Sequence, residues 1–138
     1  MPDRVVIDTN IWISCIITGK LGDLEMMAST HGIEYVVCKD MIDEIEGVIS
    51  RQKFAKRLVY TPSDYIDSIK RVTTPVKIIH KFTGCRDPKD NFLFDLAKQS
   101  KAKYLVSGDL DVLETAVKRP PEVLTLTEFI RKLHSELN

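Results

Sequence analysis

The sequence predicts an α/β protein, a three-layer α/β/α sandwich around a mainly parallel sheet of about five strands, folded as a single domain over residues 1–138. Three observations carry that expectation. Short apolar runs rich in β-branched residues alternate with helical periodicity from one end of the chain to the other. Two of those runs, Arg4-Val5-Val6-Ile7-Asp8 and Tyr104-Leu105-Val106-Ser107-Gly108-Asp109, end on acids. No internal repeat, low-complexity tract or linker divides the chain. An apolar run too short for a helix reads as a strand buried on both faces, and its polar end then faces the ligand crevice of an open parallel sheet.

The first strand runs up to Asp8. Ile11 to Ile17 follows as an apolar helix with Asn10 as its N-cap, and Gly19 and Gly22 break the pattern before a second helix, Leu21 to Thr30. Glu34 to Cys38 reads as the second strand. Lys39-Asp40 opens a helix whose Met41, Ile42, Ile45, Val48 and Ile49 recur on one face, leaving Asp43, Glu44, Glu46 and Gly47 to its flanks. Arg51 to Val59 reads as a basic helix, and Thr61-Pro62 as a cap followed by proline at the first helical position of the next. Val72 to Pro75 stops that helix, and Val76 to Ile79 reads as the third strand, with a loop over His80 to Arg86.

Asp87-Pro88 has the pattern of a cap and first turn, which puts Asp90 in the first turn of a helix whose stripe is Phe92, Leu93, Leu96 and Ala97. Lys103 to Ser107 is the fourth strand and Asp109 to Thr115 a short helix. Glu122 to Thr125 is the fifth strand, and Thr127 caps a closing helix to Leu137. Strand and helix in repeated alternation imply right-handed crossovers and a parallel sheet.

Composition narrows the class. At 43% hydrophobic residues the chain buries one adequate core, and 20 basic against 20 acidic residues leave no global field to announce nucleic acid or membrane. A polyanion site must then be local. Cys15, Cys38 and Cys85 show no Cys-x-x-Cys spacing and sit mostly among apolar residues, as buried thiols in a reducing compartment do. Met1-Pro2-Asp3-Arg4 carries no signal-peptide pattern, and no apolar stretch approaches the ~20 residues of a membrane helix. The expectation is a cytoplasmic protein without membrane contact.

The chemistry rests on four acids. Asp8 and Asp109 follow strands, Asp90 opens a helix, and Glu44 lies on the helix after the second strand, so that all four can converge above the sheet edge. Carboxylates so gathered raise one another's pKa unless a cation neutralises them, and an oxygen-only set suits a hard ion, Mg²⁺ or Mn²⁺. His31, His80 and His134 do not flank these positions, which disfavours a zinc site of histidines and cysteines. Taken singly, each acid has a plainer use. Asp8 and Asp87 suit helix caps, Glu44 a solvated face, and Asp90 and Asp111 the positive end of a helix. The joint pattern is what points to a site.

That pattern resembles the PIN-domain family of metal-dependent nucleases, from Val5 to Leu126. The carriers are Val6-Ile7-Asp8-Thr9-Asn10, Met41-Ile42-Asp43-Glu44-Ile45, Arg86-Asp87-Pro88-Lys89-Asp90-Asn91 and Ser107-Gly108-Asp109-Leu110-Asp111-Val112-Leu113. Each block is short, but four in the family's order make a strong signal. The branch most similar is the VapC-like group, the toxin components of bacterial and archaeal toxin–antitoxin pairs. The resemblance implies an endoribonuclease that hydrolyses RNA phosphodiester bonds with Mg²⁺ or Mn²⁺, its catalytic acids falling on Asp8, Glu44, Asp90 and Asp109 and a further ligand on Asp111. Thr9 and Ser107 match the family's hydroxyl positions, where they would orient water. Asn91 departs from members with a further acid there, which implies weaker hold on a second ion. Glu44 is assigned either as ligand through water or as acceptor of the nucleophile's proton, and one ion or two ~4 Å apart fit equally.

Among the basic residues, Arg51, Lys53, Lys56 and Arg57 form one segment and Lys70, Arg71 and Lys77 another. Arg86 and Lys89, which flank the acids, are the expected substrate contacts. The resemblance also implies a homodimer and a small antitoxin protein whose segment enters the acidic groove. Trp12, Ile16, Met26 and Met27 suit either an interface or the core. Two other classes fit part of the pattern: a non-catalytic PIN-like scaffold that binds RNA or protein, and a phosphotransfer or receiver-type domain. The latter fits less well, because Asp8-Thr9-Asn10 lacks the second acid of an Asp-x-Asp nucleophile motif.

Overall fold

A computed structural model describes residues 2–79 and 90–137 of the chain. The elements run β1 (Asp3–Ile7), α1 (Thr9–Thr18), α2 (Leu21–His31), β2 (Ile33–Val37), α3 (Lys39–Ile49), α4 (Gln52–Ala55), α5 (Pro62–Val72) and β3 (Thr73–Pro75). Then come α6 (Asn91–Ser100), β4 (Tyr104–Val106), α7 (Leu110–Leu113), β5 (Glu122–Leu124) and α8 (Leu126–Leu137). The five strands form one sheet in the order β3-β2-β1-β4-β5, and every pairing is parallel. The expected α/β/α architecture is observed.

Strand order decides where helices go. The chain steps outward from β1 to β2 to β3, then returns across the sheet to place β4 on the other side of β1. Right-handed crossovers therefore put α1 to α5 on one face and α6 on the opposite face. Helix α8 joins α1 on the first face. Tyr35 and Tyr104 both stand opposite Val5 in register, so they point the same way, and they meet Trp12 of α1 and Phe129 of α8 edge-on at 5.5 and 5.7 Å. The Tyr35 hydroxyl donates to the Leu24 carbonyl at 2.7 Å, which ties α2 to the same layer.

The strands are apolar through their whole thickness: Val5, Val6, Ile7, Val36, Leu105 and Val106 are fully buried. One face of α3 packs through Met41, Ile42, Ile45 and Ile49, and α6 covers the other side of the sheet with Leu93, Phe94, Leu96 and Ala97. Trp12 and Ile16 belong to this core rather than to an interface, while Met26 is exposed. Cys15 and Cys38 are buried free thiols, as expected; Cys85 lies outside the described residues. No helix among the described residues is long and apolar enough to cross a membrane.

Several boundaries differ from the sequence expectation, each for a local reason. Helix α1 starts at Thr9 because Asp8, not Asn10, is the cap, its carboxylate accepting the Asn10 N–H at 3.2 Å. The third strand is Thr73–Pro75 instead of Val76–Ile79, with Tyr35, Val36 and Val37 opposite Thr73, Thr74 and Pro75. Threonines are good strand formers, and a proline is tolerated at the edge of a sheet. The basic stretch 51–59 holds only the single turn α4, since none of its helical residues is buried to fix a longer helix. Thr61 does cap α5, in a reciprocal box with Asp64 and with Pro62 at the first position. The cap of α8 is Thr125 rather than Thr127: its hydroxyl accepts the Glu128 N–H and Glu128 returns a bond to the Thr125 N–H. Asp90 immediately precedes α6 rather than lying in its first turn, and the Asp87-Pro88 start lies outside the described residues.

Candidate active site

The strand order reverses between β1 and β4, and in open parallel sheets that reversal opens a crevice at the carboxyl edge. Ile7 and Val106 are paired at the ends of these two strands, so the residues that follow, Asp8 and Ser107, emerge side by side. The Asp8 N–H extends the ladder to the Val106 carbonyl at 2.8 Å, and the Ser107 N–H does the same to Leu124 at 3.0 Å. Position is thus fixed by backbone before any side chain acts.

Side chains and backbone amides then link. The Ser107 hydroxyl donates to Asp8 Oδ2 at 2.6 Å and accepts the Asp109 N–H at 3.0 Å. Asp8 Oδ1 accepts from Asn10, and Asp109 Oδ1 accepts the Asp111 N–H at 2.9 Å, capping α7. Asp8 and Asp109 are therefore both helix caps and both members of one hydrogen-bonded chain. Capping occupies Asp8 Oδ1 and Asp109 Oδ1; it does not account for the Ser107 bridge between them.

Electrostatics at this seam are unfavourable as built. Asp8 is only 4% exposed, and burial pushes its carboxyl above the usual range. The Ser107 hydroxyl and Asn10 N–H pull it back down, while the charge on Asp109 pushes it further up. The Thr9 hydroxyl, 1% exposed, has no hydrogen-bond partner among the described residues. A cleft of about 430 Å³ opens here, lined by Asp8, Asn10, Ser14, Cys15, Gly108 and Asp109.

A buried carboxylate opposed by a second acid is a donor set that a hard divalent cation would satisfy. In that chemical sense Asp8 and Asp109 fit the expected ion. The remaining expected residues are placed less closely. Asp111 joins the chain through its backbone and is half-buried; Glu44 lies on the exposed flank of α3, and half-buried Asp90 stands before α6. Among the described residues, no three His, Cys, Asp or Glu side chains are arranged to hold a metal. Arg86 and Lys89, the expected substrate contacts, lie outside the described residues.

Two features went unremarked in the sequence. Asp95 of α6 is buried, at 8% exposure, among Leu93, Phe94 and Leu96. Burial raises the thiol pKa of Cys38, at the end of β2, and the charges of Asp40 and Asp95 raise it further. An acid inside an apolar helical stripe was the available signal. The second feature is a larger cleft of about 920 Å³ beside β2 and β3, where Lys70 and Lys77 line a mainly apolar wall with Asp40 and Asp43. It contains none of the predicted acids, whereas the strand-order reversal and the buried carboxylate of Asp8 fall together at the smaller cleft.

The family model for the PIN domain matches residues 4–111, the span that carries β1 through the acids after β4. No curated protein and no solved structure matches the chain.

Proposed function

This chain belongs to the PIN-domain family, whose members are generally metal-dependent nucleases, and from that membership we propose that it is an endoribonuclease using Mg²⁺ or Mn²⁺. The observation that carries the reading is the seam between β1 and β4, where buried Asp8 is joined through Ser107 to the Asp109 backbone and feels the Asp109 charge. A capping residue alone has no reason to be buried against a second acid. Asp8 and Asp109 would hold the ion, with Glu44, Asp90 and Asp111 completing the carboxylate set. When bound, the ion supplies Lewis acidity: it lowers the pKa of a water and offsets charge building on the phosphoryl oxygens.

The chain's own groups divide the remaining work. Ser107 holds the Asp8 carboxylate in one orientation by donating to Oδ2, so that the ligand geometry is set before substrate arrives. Thr9 matches the family's hydroxyl position, and by that resemblance it would orient the attacking water for in-line displacement. Glu44 is the base or a water-mediated ligand, and Arg86 and Lys89 would meet phosphates on either side of the scissile bond. Biologically, we place the protein as the toxin of a toxin–antitoxin pair, cytoplasmic, homodimeric and restrained by a small antitoxin. Those roles rest on the sequence resemblance alone.

Cleavage of single-stranded RNA with Mg²⁺ or Mn²⁺ tests the proposal, comparing the native chain with Asp8→Asn and Asp109→Asn. The expected outcome is cleavage by the native chain that either substitution lowers by at least about 100-fold. Equal cleavage by all three would sink the site, and no cleavage by any would favour a non-catalytic PIN-like scaffold. Cleavage should also weaken steeply with added salt, as backbone contact requires.

A further inference from the structure

Two of the three histidines, His31 and His134, meet away from the acid cluster, and His80 lies outside the described residues. His31 closes α2 and His134 lies in the last turn of α8, far apart in sequence, yet their ring centroids stand 6.0 Å apart with planes inclined by 30°. His31 is half-buried and His134 exposed, so water and small ions reach the pair. We propose that these two imidazoles clasp one borderline divalent cation, Zn²⁺, Ni²⁺ or Cu²⁺, pinning α8 to the α1–α2 hairpin.

Geometry and field both favour this. A metal lies about 2.0–2.1 Å from an imidazole nitrogen, and with the ring's own radius two imidazoles sharing one ion place their centroids roughly 5–6.5 Å apart. The observed centroid spacing falls inside that window. Both rings also ride on the carboxyl-terminal turns of their helices, where the macrodipole presents partial negative charge and cations are stabilised. Imidazole nitrogen selects Zn²⁺, Ni²⁺ and Cu²⁺ over the hard ions that suit carboxylates. Since no third His, Cys, Asp or Glu among the described residues completes a cage, water fills the other positions and the ion is exchangeable rather than permanently buried. The clamp acts on the closing helix, whose Phe129 and Leu133 are core residues, so its effect is on stability. It is independent of the nuclease reading.

Titration of the full chain with ZnCl₂ in saturating Mg²⁺, read by calorimetry and by thermal unfolding, tests it. The expected result is one saturable equivalent and a rise in Tm. Both are retained in Asp8→Asn, while His31→Gln and His134→Gln each weaken binding by at least about tenfold and remove the Tm rise. These exposed or half-exposed substitutions should leave the fold intact, which circular dichroism without metal checks. Absence of saturable binding, or binding unchanged in both histidine variants, would overturn the proposal and leave an aromatic contact only.

Discussion

The middle of β1 and its end obey opposite rules. Val5, Val6 and Ile7 are fully buried and apolar, and they stabilise the sheet through packing on both faces. One residue on, Asp8 is nearly as buried, but its carboxyl is charged only against the cost of burial and of a neighbouring acid. The strand delivers the acid, and the same rigidity that positions it withholds the water that would solvate it. Stability is concentrated in the strand centre and given up at the strand end, a division expected of a reactive site.

The largest test of that division lies in the core. Trp12→Ala removes a fully buried ring that packs edge-on against Tyr35, and should cost about 3–5 kcal/mol in urea unfolding. Asp8→Asn should behave in the opposite way. Asparagine carries no charge; its single Oδ1 can keep the Asn10 N–H bond while its amide NH2 donates to the Ser107 hydroxyl in place of the bond lost, so the variant should be more stable than native at neutral pH by about 1 kcal/mol while losing cleavage. A variant less stable than native would show that Asp8 is structural first.

The pH dependence of that gap follows from its sign. The folded Asp8 carboxyl titrates above its usual value of 3.8, so folding is unpenalised when the group is protonated in both states. Below that value native and Asp8→Asn should be equally affected by this position. As pH rises through the folded pKa the native protein loses stability relative to the variant, and the gap then levels off. Urea unfolding of both proteins from about pH 3 to pH 7 checks the direction, and a gap that closes with rising pH would contradict it. The smallest expected effect is far from the seam: Thr61→Ala removes one arm of the α5 capping box and should cost about 1 kcal/mol, with cleavage unchanged.

The two regions were not equally legible in the sequence. The centres of β1 and β4 are continuous β-branched or apolar runs with sharp polar ends, and so their boundaries, and the acids after them, could be read within a residue or so. Thr61-Pro62 was equally readable because its chemistry is local. The third strand was misplaced because hydrophobicity singles out Val76 to Ile79, whereas the ladder is set by what pairs with Tyr35 to Val37. Val76 still donates to the Val37 carbonyl, so the edge fades rather than stops there. Strand order is a non-local property. That β4 lands beside β1, bringing Ser107 against Asp8 across 99 positions, is not written in either segment. The meeting of His31 and His134 has the same origin. Asp95 shows the converse limit: its place between apolar neighbours is a visible signal, but only docking of the helix on the sheet shows that the acid is buried.

The proposed nuclease site requires above all that Asp8 and Asp109 be opposite walls of one ion site. Titration of Mn²⁺ followed by the electron paramagnetic resonance signal of the free ion tests that without a substrate. Native protein should deplete the signal saturably, and Asp8→Asn and Asp109→Asn should each abolish most of that depletion while remaining folded. Depletion that is undiminished in both variants would place the ion elsewhere and contradict the central claim.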